Sequence, residues 1–408
     1  MLSLRLARGA HPLVHLRRLL VAGAASGAGF LLLCALGHAV AHPGAAGESL
    51  VRLLWCAVPL AAVVYFAVAV ARNDPATRPR DGMDAVGFGP VRLSVLAAAS
   101  TAISCGVGSV VALLAYLELR GDLGGTPLSG TAAGLLDGHA ALPWAGALTL
   151  LGLLPVLAAG ACVIVLRPRR ERASGAAARA PETDSADAPA PAAARAPRPG
   201  HAGLPWGIAV LACGLALEAY VGHAPAPAPD HLLALPGQED GASPGLLAGW
   251  LLASFGLVLA GPGLIHWCGA LLAAGRPGAV RLLAGRILQD AAVRLGRPLG
   301  VLCAVAAGAL AAVELYGPEW EHTGPHPFGP LTGLGAAIVM ACVTATAITA
   351  ALDTRVSRSG THDALLRLGV PASVMRGAVA VRSGALLALL APLTWLIAEL
   401  TTLPLTRS

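Results

Sequence analysis

Apolar residues fill this chain in long blocks separated by short polar stretches. They neither alternate, as in a half-buried strand, nor keep to one stripe, as on a surface helix. The blocks cover residues 19–37, 53–71, 93–117, 144–166, 204–222, 246–272, 298–316, 331–352 and 378–398. Each is long enough to cross ~30 Å of hydrocarbon at ~1.5 Å per residue. Inside lipid, backbone groups have to be satisfied within each segment, which selects helices over unpaired strands. The pattern therefore predicts an all-α, polytopic integral membrane protein with about nine transmembrane helices.

Composition strengthens that expectation. Of 408 residues, 56% are hydrophobic and 12% charged, against roughly a quarter charged in soluble domains. The mean hydropathy is +0.71.

Arginine placement sets the expected orientation. With the N-terminus in the cytoplasm, the inner segments hold 25 of the 28 arginines against ten acidic residues, and only Arg52, Arg120 and Arg407 face outward, against twelve. That arrangement puts the N-terminus in and the C-terminus out, as expected for a multi-pass protein of the cell (plasma) membrane. Inner arginines facing anionic headgroups account for the pI near 9.1 and make membrane lipids partners, with no nucleic acid required. Residues 1–41 also resemble a secretory signal, since Arg5, Arg8, Arg17 and Arg18 precede an apolar run and Ala39, Val40 and Ala41 follow it. The run exceeds the roughly 7 to 15 residues of a signal core, so an uncleaved first helix is expected.

Residues 167–203 turn into an arginine, alanine and proline mixture, including Arg167-Pro168-Arg169-Arg170, which reads as a disordered cytoplasmic linker between two halves. The halves look related at a displacement near 280 residues. Val14, Leu16 and Arg18 precede the first span as Val293, Leu295 and Arg297 precede the seventh, and Asp81 stands six residues before Gly87 as Asp363 stands six before Gly369. Both copies start on the cytoplasmic side, so they read as two parallel repeats related by an axis along the membrane normal.

The segment from Arg355 to Arg376, with Arg358, Asp363 and the run Leu365-Leu366-Arg367-Leu368-Gly369, resembles a loop of FtsX/MacB-type ABC transporter permeases. That resemblance implies a two-copy bacterial permease whose loop contains a coupling helix docking on a separate ATP-binding cassette subunit. Arg78, Arg80, Asp81 and Gly87 form a degenerate first-half counterpart. Arg355, Arg358, Asp363, Arg367 and Gly369 are the second-half coupling residues.

On this reading, residues 1–166 are a first permease repeat with four spans, 167–203 the linker, 204–274 two connecting spans, and 275–408 a second repeat with three. One departure is plain. The family usually carries a sizeable external domain between the first two helices of a copy, whereas here those loops are residues 38–52 and 317–330. A non-transporting membrane scaffold or signalling protein derived from the same fold is the alternative. Lipid anchoring alone is a competing use of the loop arginines, and a possible homodimer also stays open.

The chain contains no lysine, so a P-loop nucleotide site and Schiff-base chemistry cannot reside in it. No catalytic residue, metal site or cofactor is expected. His38, His42, His139, His223, His231, His322 and His326 fall in outer loops without metal-site spacing. All eight cysteines fall in spans, as small apolar residues at helix interfaces.

Gly261, Pro262 and Gly263 should bend or interrupt the sixth span beside His266, a possible translocation hinge set against a plain packed kink. Glu118, Glu218, Glu314 and Glu399 end four outward-going helices and read more simply as water-facing than as a cation-attracting ring. Gly23 and Gly27 offer a close-approach face on the first helix.

Overall fold

The computed structural model describes residues 12–44, 46–72, 90–122, 142–166, 203–223, 233–235, 238–242, 244–275, 278–316, 330–356, 367, 369 and 371–406. Its helices are α1 (Pro12–Ala41), α2 (Ala46–Trp55), α3 (Ala57–Arg72), α4 (Pro90–Arg120), α5 (Trp144–Leu166), α6 (Leu204–Gly222), α7 (Pro244–Ala273), α8 (Ala279–Tyr316), α9 (Pro330–Val356) and α10 (Ala372–Thr406). Among the described residues, nine helical spans are long and apolar enough to cross a membrane, with α2 and α3 together forming the span Ser49–Arg72. The structure is all-helical in class, with one short strand pair besides. Strands β1 (Leu233–Leu235) and β2 (Gln238–Ala242) pair antiparallel between α6 and α7.

The helices are apolar on more faces than they bury. On α4, Cys105, Ala112 and Tyr116 are buried while Ile103, Val107, Val110 and Leu114 stand exposed at three- to four-residue spacing. A water-soluble helix would put polar side chains on that second face, whereas hydrocarbon matches it as found. Aromatic residues gather near helix ends. Trp144 opens α5, and Trp206 and Tyr220 flank α6, all three exposed, as expected at a lipid–water boundary.

Two groups of helices build the bundle. In the first, α1 runs along α4, and α5 packs on α4 and α3. In the second, α7 is sandwiched between α6 and α8, and α10 lies along α8. Helix α9 joins them, resting on α3 and α1 on one side and α8 on the other. The joint is apolar, with Val63 and Phe66 of α3 and Val21 of α1 clustering with Ile338 and Cys342 of α9. A second core holds Leu257, Cys303, Ile397 and Ala398. A third joins Ile265, Leu288 and Ala292 to Ala350 and Leu386.

The closest packing is made by glycine. On α6, Gly207 and Gly214 face Ala260 and Ala253 of α7, and Gly249, Gly256 and Gly263 of α7 face Glu218, Leu211 and Leu204 in return. The seven-residue spacing on both helices keeps the small positions on one seam, so backbone meets backbone at Gly207, Gly214 and Gly256. Between α7 and α8, Gly261 faces the Gly296 backbone, and Gly269 meets the Gly285 carbonyl.

Helix α8 is 38 residues long, about 57 Å at ~1.5 Å per residue and well beyond ~30 Å of hydrocarbon. Its first half buries Ala284, Leu288, Ala291 and Leu295 and exposes Arg281, Arg286, Asp290 and Arg294. The span expected from residue 298 is thus the apolar end of a helix that begins 19 residues earlier. Helix α4 stops at Gly121, whose φ of +99° lets its own amide and that of Asp122 bond back to Leu117 and Glu118, a left-handed C-terminal cap.

Candidate functional site

Of the expected coupling residues, Arg78, Arg80, Asp81, Gly87, Arg358 and Asp363 lie outside the described residues, as does the linker 167–203 apart from Gly203. Arg355 ends α9 with its side chain exposed, and Arg367 is exposed on the approach to α10. Gly369 has a φ of +82°, a conformation glycine adopts without the Cβ penalty of other residues. It turns the chain shortly before α10 starts at Ala372. Arginines are thus displayed at one end of the bundle, on the connection joining α9 to α10.

A second basic feature sits at the junction of the two groups. Arg72 of α3 and Arg297 of α8 both lie close enough to Tyr65 of α3 to act electrostatically on its hydroxyl. Nearby, Arg18 helps line a small cleft between α1, α3 and α4 with Val70, Ser100, Thr101 and Ser104. The hydroxyls of that cleft are committed within their own helix, since Ser100 and Thr101 both donate to the Ala97 carbonyl at 2.9 Å and Ser104 donates to Ser100 at 3.1 Å.

The expected interruption of the sixth span is not found. Helix α7 runs unbroken through Gly261, Pro262 and Gly263, because each glycine serves a neighbour: Gly261 takes the Gly296 backbone, and a Cβ on Gly263 would stand 2.6 Å from the Leu204 Cβ. Packing on both sides holds the helix where proline removes a hydrogen bond. His266 is half-buried on the same helix and is not without a partner.

The four acidic helix ends differ in their surroundings. Glu314 of α8 accepts a hydrogen bond from the Thr402 hydroxyl of α10 at 3.2 Å, while Glu118 belongs to α4 in the other helix group. Glu218 is the residue that sequence reasoning misplaced. It is 1% exposed, enclosed between α6 and α7 with Gly249 against its Cγ, and Thr401 of α10 is its polar neighbour. The Thr401 hydroxyl donates to the Ile397 carbonyl at 2.8 Å, and neither Glu218 carboxylate oxygen accepts a hydrogen bond among the described residues. A water-facing end and a buried one look alike in sequence. The available signal was the heptad-spaced glycine seam that brings α7 over this position.

Six cysteines are buried and Cys56 is half-buried, as interface residues should be, but Cys213 is exposed. All eight are free thiols. His38 and His42 stack with ring centroids 4.3 Å apart. Among the described residues, no three histidine, cysteine or acidic side chains gather in a metal-binding group.

No protein-family model, no curated protein and no solved structure matches the chain.

Proposed function

We propose that this chain is the membrane-spanning subunit of an ABC-type transport or export system in the cell membrane, driven by a separate ATP-binding subunit. The observation that carries the reading is a matched packing order in two helix triples. In the first triple α1 runs along α4, α3 leans on α1, and α3 and α4 scarcely touch. In the second, α8 runs along α10, α9 leans on α8, and α9 and α10 are hardly in contact. The second members, α3 and α9, meet each other. Such an order is what two related halves would produce, which supports the repeat reading, and the α3–α9 contact gives a seam at which the halves can move relative to each other.

The exposed Arg355 and Arg367 support an acidic docking face on the motor, which the lysine-free chain cannot supply itself. Rigid α9 and α10 then carry the motor's movement into the seam.

Affinity purification from native membranes in mild detergent tests this. The expected result is co-recovery of an ATP-hydrolysing chain, reduced at least tenfold by the double charge reversal Arg358→Glu with Arg367→Glu. Absence of such a chain, or a recovery indifferent to the reversal, overturns the proposal.

The scaffold reading has one observation in its favour. Helix α2 fills the stretch between α1 and α3 and continues into α3 through the Cys56 to Arg52 and Leu60 to Cys56 backbone hydrogen bonds, so no external arm separates the first two spans. A full complement of ATPase partner would decide against it.

A further inference from the structure

Glu218 lies four residues before the end of α6 at Gly222, so about one helical turn separates it from that end of the bundle. Its carboxyl is nonetheless enclosed. A Cβ on Gly249 would stand 2.6 Å from the Glu218 Cγ and 3.0 Å from the Gly214 carbonyl oxygen. The α6–α7 seam therefore closes directly over the side chain, and α10 closes the remaining side with Thr401.

The chemistry of the surroundings narrows what this carboxyl can hold. A buried carboxylate with a single hydroxyl beside it costs several kcal/mol, and here that hydroxyl, Thr401, lies 2.8 Å from the Ile397 carbonyl, which competes for its one hydrogen. A metal cation of the calcium or magnesium kind needs about six oxygen ligands, whereas the described side chains of this seam offer one carboxyl and one hydroxyl, and a Cβ on Gly249 already meets the Glu218 Cγ. A proton needs no space. A protonated carboxyl can also donate to a Thr401 Oγ lone pair, the acceptor that the Thr401–Ile397 bond leaves free.

We propose that Glu218 is a proton-binding site, loaded while α6, α7 and α10 are packed together and emptied only when α6 parts from its neighbours. The ionisable groups of the packed elements are few. Helix α7 presents none at the seam. Helix α10 carries Glu399, α8 carries Glu314 bonded to Thr402, and α6 itself ends on His223, exposed and bonded through its ring to the Ala219 carbonyl at 2.7 Å. Among the described residues none of these supplies a cation to Glu218, which leaves a proton as the counter-charge. The inference is independent of the permease reading, since it concerns the connecting spans and holds for a scaffold equally.

Infrared difference spectroscopy on the full chain in lipid nanodiscs, stepped through pH, reads the site directly. The expected result is a protonated-carboxyl carbonyl band from a dry environment that disappears in Glu218→Gln and persists in Glu314→Gln and Glu399→Gln. A spectrum without that band, a band that Glu218→Gln leaves intact, or a band abolished by added sodium or calcium at constant pH overturns the proposal. Thr401→Val provides a second reading should Glu218→Gln fail to fold. It should move the band to higher frequency by removing the acceptor, and an unmoved band counts against the site.

Discussion

Gly214 of α6 approaches Gly249 of α7 so closely that a Cβ on Gly214 would stand 2.7 Å from the Gly249 carbonyl oxygen and 2.8 Å from the Ala253 Cα. Both obstructing atoms are backbone, which cannot rotate aside. Overpacking of this kind costs about 1–3 kcal/mol, so Gly214→Ala should lower the thermal unfolding midpoint of the purified chain. Gly152 on α5, whose added Cβ would meet nothing within 4 Å, is the control. There the exchange for alanine should be neutral or stabilising by up to about 1 kcal/mol. Equal effects at the two positions would contradict the glycine seam.

The joint between the two helix groups predicts a cross-link within one chain. A Cβ on Gly27 of α1 would stand 2.7 Å from the Ile338 Cδ1 of α9 and 3.1 Å from its Cγ1, and the Ile338 Cβ lies one bond beyond Cγ1, near the upper end of the ~3.5–4.5 Å spacing of a disulfide. Oxidation of the double variant Gly27→Cys with Ile338→Cys should tie the first half to the second. After cleavage at a protease site introduced into residues 167–203, the halves should run together without reductant and separate with it. A cross-linked dimer would instead place this contact between two chains.

The Thr402 to Glu314 hydrogen bond links α10 to α8 at 3.2 Å. Thr402→Val and Glu314→Met, the latter leaving no acceptor oxygen, should each destabilise the bundle by about 1 kcal/mol. In a double-mutant cycle the two changes should fall short of additivity, because removing either partner abolishes the same bond. Full additivity would show that the pair contributes nothing jointly.

Much of the fold was legible in the sequence, and the reason is physical. Hydrocarbon demands apolar side chains on every lipid-facing surface, so blocks such as 144–166 announce their own ends, and that block coincides with α5. Legibility failed where water and lipid meet. The apolar block starts only at residue 298 because Arg281, Arg286 and Arg294 break the run before it, yet Ala284, Leu288, Ala291 and Leu295 recur at helical spacing and are buried. Helical periodicity carries that stripe, whereas average hydropathy hides it.

At the candidate sites the limit is different. Gly261 and Gly263 read as breakers, but what a glycine does depends on what lies against it, and here Gly296 and Leu204 lie against them. Glu218 reads as a wet helix end because only the seven-residue glycine spacing hints at the cover by α7, and nothing in α6 itself announces α10.

Sidedness of the α9–α10 connection decides most about the account, since a motor in the cytoplasm can grip only what faces it. Arg367 is exposed there, and Arg367→Cys can be probed with a membrane-impermeant maleimide, the parent chain serving as the background for its own eight thiols. Reaction only after the cells are permeabilised is the predicted result. Reaction in intact cells would put this connection outside and contradict the proposed coupling to an ATPase.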